Sequence, residues 1–353
     1  MSQKGFKALV LAEAENIQYL TGVLEPSVHV CGVVVIPQQG QAVLAVLWLD
    51  KEAAMEQAQE VSVKPYTLTT QGTVIANELE QLEIESVIGM DNRAFTVLGN
   101  SLRRSLRHPN LVNASNSVEE LRWIKSEEEI RLIQKACEIS DEGMRVALES
   151  VRPGITELQI AARAEHKMMM MGSSRLKHST IVGSGRRATL VHPIATQKRI
   201  EEGDHVAIDL GAVYQGYCSD IARTFVVGKP SQELENDFAV LRRAQEAVLR
   251  KLRPGVSIRE MKATAEEVTD TAGCKLIGQL GHGIGLKRGE QPQLSEVGTP
   301  YPLDLRIERN MVLALFQSAI CSKHCLGVRL EDTVVVTETG AKTLTAYPKE
   351  LFS

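Results

Sequence analysis

No stretch of this chain approaches the ~20 consecutive apolar residues that cross a bilayer. The opening "MSQKGFKALVLAEAENIQYL" lacks the unbroken apolar centre of a secretory signal, because Glu13, Glu15 and Asn16 interrupt it. A net charge of -4 gives no electrostatic reason to expect nucleic acid or an anionic membrane as partner. The cysteines at 31, 137, 218, 274, 321 and 325 follow no framework spacing, so free thiols in a reducing compartment, the cytoplasm, are expected. No Gly-x-Ser-x-Gly elbow is present, so a serine hydrolase of that type is not indicated. "GSGRR" at 183–187 lacks the Lys-Ser/Thr of a phosphate loop.

The chain does have length and patterned apolar sequence. At 353 residues it exceeds what one core usually organises, so two domains are expected, 1–120 and 121–353, with the boundary between 115 and 126. The first alternates β-rich runs such as "QAVLAVLWL" with helical stretches such as "LDKEAAMEQAQE", an α/β pattern. The second opens on a capping box, Ser126 with Glu129, followed by Ile130, Ile133, Ala136 and Ile139 at helical spacing. "MMMM" at 168–171, at the end of a helical stretch, reads as adaptable core filling rather than a soft-metal site.

An internal duplication follows. "VRPGITELQIAARAE" at 151–165 recurs as "LRPGVSIREMKATAE" at 252–266, with capping boxes Thr156/Gln159 and Ser257/Glu260 at the same place in each copy. Two αβ halves related by a pseudo-twofold are expected.

Two acids then stand out. "DLGAVYQGYCSD" carries Asp209 and Asp220 at the ends of a hairpin-like stretch among Val206, Ile208, Ile221 and Phe225. With a turn at Tyr214-Gln215, 209 faces 220, and directly opposed side chains lie only ~5 Å apart. Partly buried like charges so close call for a cation. Carried through the repeat, Asp220 corresponds to Glu331, and Asp209 to Phe316. A twofold site wants four carboxylates; this chain supplies three and an aromatic ring. Between them lies His282, flanked by Gly281 and Gly283. Arg223, three residues after Asp220, is expected to pair with a carboxylate. Cys321, His324 and Cys325 in "CSKHC" lack a second Cys/His pair at zinc spacing and read as free groups on a loop.

"GDHVAIDLGAVYQGYCSDIARTF", "GHGIGL…EQP" and "GVRLEDTVVVTETG" resemble the signatures of the pita-bread superfamily of methionine aminopeptidases, prolidases, Xaa-Pro aminopeptidases and creatinases. The early "ENIQYLTG" resembles the prolidase and creatinase branch. The resemblance implies an α/β (α+β) architecture, with a creatinase/prolidase-like N-terminal domain before a pita-bread domain. It implies a metal site at Asp209, Asp220, His282 and Glu331, with Glu331 and His192 catalytic, and substrate contacts from His192 and Glu290. It also implies a homodimer and a dipeptide or small-molecule substrate.

Four family positions depart. Phe316-Gln317 stands where the family has a ligand Glu and a proline, and Gly289 where it has a second histidine, although Glu290 and Pro292 persist. Val191 precedes His192 where the family has proline. The expectation is a prolidase-like hydrolase of Xaa-Pro dipeptide or small amide C–N bonds, holding one divalent ion (Mn, Zn, Co or Fe) rather than two. The alternatives are a metal-independent, creatinase-like amidinohydrolase or amide hydrolase, and a non-catalytic binding protein of the same fold.

Overall fold

The computed structural model describes residues 1, 4–24, 32–82, 84, 87–296, 299–316, 319–321 and 327–351, with backbone only at 275, 277 and 319–321. The chain divides into two compact units, Met1–Leu121 and Arg122–Ser353.

In the first unit, strands β1 (Ala8–Leu11), β2 (Val33–Pro37), β3 (Ala42–Leu47), β4 (Val61–Tyr66), β5 (Val87–Met90) and β6 (Asn110–Asn113) form one mixed sheet in the order β4-β3-β2-β1-β5-β6. Helices α1 (Ala14–Thr21), α2 (Lys51–Gln57), α3 (Gln71–Gln81), α4 (Asn92–Ser105) and α5 (Ser115–Glu119) connect them. Alternate strand residues enter two separate cores, so Val33 and Val35 pack with Ile75 and Leu79, while Val34 packs with Ile17. Asp91 caps α4 through the Ala94 amide, 2.8 Å away, and its other oxygen accepts from Ala12 and Asn16.

The second unit is built twice. Its first half runs α6 (Glu127–Ser150), α7 (Glu157–Met170), β7 (Arg175–Leu176), β8 (Ile181–Ser184), β9 (His205–Leu210), β10 (Ala212–Tyr214), β11 (Tyr217–Cys218) and β12 (Ile221–Val226). Its second half runs α8 (Gln232–Lys251), α9 (Ile258–Thr271), β13 (Lys275–Ile277), β14 (Gly281–Gly283), β15 (Glu290–Gln293), β16 (Val312–Leu315), β17 (Ala319–Cys321), β18 (Asp332–Val336) and β19 (Ala341–Thr343). The order β12-β9-β8 in one half is matched by β18-β16-β14 in the other. All three predicted capping boxes form, at Ser126, Thr156 and Ser257.

The repeat extends to the backbone. The Gly154 amide donates to the Ile200 carbonyl at 2.9 Å, and Gly255 to Ile307 at 2.8 Å. Arg199 donates to the Gly154 carbonyl as Arg306 does to Gly255. The offset from Ile200 to Ile307 carries Asp209 onto Phe316. A bridge between Ala222 and Glu331 joins the halves.

Two sequence expectations are corrected. Only Met168 of the methionine run is core; Met169 and Met170 are 52% and 73% exposed, because a helix turns successive residues to different faces. The hairpin turn is Gln215-Gly216, with φ of 46° and 87°, the left-handed pair that suits a two-residue hairpin. Tyr214 therefore faces Tyr217, and Asp209 faces Ala222 rather than Asp220. Asp220 precedes β12 by one residue and lies diagonally from Asp209 on the same face.

Candidate active site

The paired strands bring three acids into the interior. Asp209 near the end of β9, Asp220 before β12 and Glu331 before β18 are fully buried, and His282 on β14 is 4% exposed. The Nδ1 of His282 meets the carbonyl of Gly283 at 2.9 Å, leaving Nε2 3.5 Å from Asp220 Oδ2. The four residues expected together are together. The fifth position is apolar: Phe316 is 1% exposed within the core of the second half, with a φ of 73° unusual for a bulky residue. Its amide donates to the Leu280 carbonyl at 2.7 Å.

Lys177, His178 and Arg329 meet these acids, and sequence reasoning missed them. Lys177, in the link after β7, donates from Nζ to Asp220 Oδ2, and its side chain is 1% exposed. His178 Nε2 lies 3.1 Å from Asp209 Oδ1. Arg329 Nη1 lies 3.5 Å from Asp209 Oδ2, and its Nη2 donates to the Leu190 and Val191 carbonyls, at the base of the loop bearing His192. The antiparallel pairing of β7 with β10 brings Lys177 there. An unmatched surplus of buried acids was the one signal in the sequence that required such a residue.

Charge and burial compete at each group. Burial raises the Asp209 carboxyl, but His178, Lys177 and Arg329 outweigh it and hold the group below the usual carboxylate range. Glu331 has both oxygens unbonded, and burial and the charge of Asp209 push it up to about 7. Burial pulls Lys177 down from its ordinary value, while Asp209 and Glu331 act the other way. His282 is lowered by burial and by Lys177.

The acids' partners Lys177, His178 and His282 line a cavity of about 680 Å³, together with His192, Lys287 and Arg288. His192 lies on its exposed rim, lowered from the usual histidine range by burial and by Arg329. Gly289 also lines it, and a Cβ added there meets nothing within 4 Å. Glu290, expected at the substrate, is instead held within the fold by Lys125 at 3.2 Å and Arg122 at 3.6 Å. Arg223 pairs with Asp332 at 2.9 Å, as expected of a structural arginine. Ser184 and Arg187 of "GSGRR" bind the buried carboxylate of Glu157. Cys137, Cys218 and Cys274 are buried thiols. The side chains of "CSKHC" lie outside the described residues.

Two groups among the described residues offer donors close enough to share a metal ion: His178, Asp209 and Asp220, and Asp220, His282 and Glu331. Their nitrogen and oxygen chemistry suits a divalent ion, and the unbonded oxygens of Asp220 and Glu331 face no protein donor. Asp220 belongs to both groups, however, and its Oδ2 already accepts from the Lys177 ammonium. With Lys177 inside and Phe316 in place of an acid, the residues do not fit a divalent centre.

Residues 131–338 match the Metallopeptidase family M24, and residues 1–124 the Creatinase/Prolidase N-terminal domain. An Xaa-Pro dipeptidase of Pyrococcus furiosus is 33% identical over 353 residues, covering 99% of this chain and 97% of that protein. The prolidase structure from Pyrococcus horikoshii OT3 superposes with a TM-score of 0.88 at 30% identity, covering 100% of this chain and 97% of its own. The Xaa-Pro dipeptidase structure from Bacillus anthracis gives a TM-score of 0.90 at 29% identity, covering 99% and 96%. Among the described residues, no helix is long and apolar enough to cross a membrane.

Proposed function

This chain belongs to metallopeptidase family M24, a family of hydrolases, and carries the two-domain prolidase architecture; we propose that it cleaves the amide C–N bond of an Xaa-Pro dipeptide or a similar small amide. The observation that carries this reading is the cavity, with histidines beside buried acids and Lys287 and Arg288 also in its lining. That cationic side suits a substrate ending in a carboxylate, as a dipeptide does. His192, held below its ordinary pKa, is neutral near pH 7 and able to accept a proton from an attacking water. Glu331, its carboxyl pushed up to about 7, is the group in this site able to give a proton, and Asp209 orients His178. Lys125 and Arg122 fix Glu290, which accepts from the Lys287 amide at 3.3 Å and so positions the cationic stretch.

A second reading, in which the Lys177 ammonium withdraws from Asp220, keeps one Mn, Zn, Co or Fe ion on Asp209, Asp220, His282 and Glu331, and the unbonded oxygens of Asp220 and Glu331 favour it. We also propose, on the resemblance to the prolidase branch, a cytoplasmic homodimer; sedimentation at a single species near the 38.8 kDa chain mass would count against the dimer.

Hydrolysis of a panel of Xaa-Pro dipeptides, their amides and guanidino compounds tests the reading, with His192→Ala as control. Cleavage of a dipeptide, reduced by about 100-fold or more in the variant, is the expected result. Failure to cleave any compound, with or without added metal, leaves a binding protein of the same fold.

A further inference from the structure

Both donor groups able to share an ion pass through Asp220, and that carboxylate already has a cation. Lys177 is not a surface lysine folded inward. Its backbone amide donates to the Gly211 carbonyl at 2.9 Å, which fixes where the side chain begins. Its stem then crosses Gly211, where a Cβ would stand 2.7 Å from Lys177 Cδ and 2.9 Å from its Cβ. Any side chain at 211 would close that passage. The stem ends in a pocket where Asp220 is fully buried and the lysine side chain itself is 1% exposed. An ammonium donates hydrogen bonds and brings positive charge, but it has no vacant orbital with which to polarise a carbonyl.

We propose that Lys177 is the resident cation of this site: its ammonium neutralises Asp209, Asp220 and Glu331 in place of a divalent ion, so the folded chain needs no metal and excludes it.

The substitution at Phe316 belongs to the same change. Lys177 and Arg329 bring two positive charges against three acids, a near balance. A fourth acid at 316 would leave two negative charges unmatched in a buried site. A divalent ion added to the present residues would instead leave a net positive charge beside two fixed cations. Neither is favourable away from water. The apolar ring and the buried ammonium are therefore mutually consistent, and neither would suit the site alone. The proposal concerns occupancy of the site and stands whether or not the chain hydrolyses dipeptides.

The test compares wild-type protein, Lys177→Met and Lys177→Arg, by calorimetric titration with manganese and zinc and by melting curves with metal or chelator. Wild type should carry no stoichiometric metal, bind neither ion tightly and melt at the same temperature under both conditions. Lys177→Met keeps the stem and removes the charge. It should melt lower, bind about one ion per chain, and recover about 5–10 °C when the metal exceeds its Kd a hundredfold. Lys177→Arg should remain indifferent to metal. A wild-type protein that holds a stoichiometric ion and loses melting temperature on chelation overturns the proposal. So does a folded Lys177→Met that gains no metal binding. If that variant does not fold with or without metal, the wild-type chelation result decides alone.

Discussion

In the first half of the Arg122–Ser353 unit, β9 presents Asp209 to a buried site; in the second half, the equivalent chain leaves β16 at Phe316 and enters a core. Both halves share helix pairs, capping boxes, glycine-to-carbonyl bonds and strand order. The scaffold is thus fixed by features remote from the site, and the residue at the strand end can exchange charge for an aromatic ring without altering it. The same comparison accounts for the partners of these acids. The half that kept its acid also supplies His178, beside Asp209, and Lys177, on Asp220, while Arg329 reaches Asp209 from the other half.

Removing the acid of the first half should have the largest effect. Asp209→Asn leaves Arg329 and His178 without their carboxylate in a buried setting, and should cost about 3–5 kcal/mol in urea unfolding. A cost below 1 kcal/mol would mean that these contacts are not made. Restoring an acid to the second half should also destabilise. Phe316→Glu buries a fourth carboxylate and removes packing, on the order of 3 kcal/mol, and should gain little from manganese by itself. Combined with Lys177→Met it should gain strongly, a non-additivity that a double-mutant cycle reads directly. Additive behaviour would separate the two positions.

The acid before β18 gives a pH-dependent effect. Glu331 sits at about 7, above the ordinary carboxylate value of 4.5, so its charged form is disfavoured in the fold. Stability from this group is fully present below 4.5 and is lost as pH rises through about 7. Glu331→Gln, always neutral, should match wild type at pH 4 and exceed it by about 2–3 kcal/mol at pH 8. Equal stabilities at pH 8 would contradict the burial of an unpaired carboxyl. The smallest effects belong to the scaffold. Thr156→Ala and Ser257→Ala should each cost about 1 kcal/mol, and the same amount, because the two caps are equivalent.

The caps and the repeat were legible in the sequence because a capping box is written within four residues, and two copies vouch for each other. The convergence of Asp209, Asp220, His282 and Glu331 was legible through the repeat and the motif spacing. The hairpin register was misplaced because the turn was set one residue early. Gly216, which readily takes a positive φ, marked the true position. Lys177 and His178 follow a strand of two residues, Arg175–Leu176, too short to show periodicity. Only the pairing of that strand with β10 carries them to the acids. The interior role of Glu290 depends on Lys125 and Arg122, far away in the chain, which no local pattern connects to it.

The most direct test of the central claim is a crystal structure of wild-type protein soaked in manganese, with anomalous scattering recorded to locate the ion. The account predicts the Lys177 ammonium in hydrogen bond with Asp220, between Asp209 and Glu331, and no anomalous peak among these carboxylates. An ordered manganese on Asp220, His282 and Glu331, with Lys177 displaced, would contradict it.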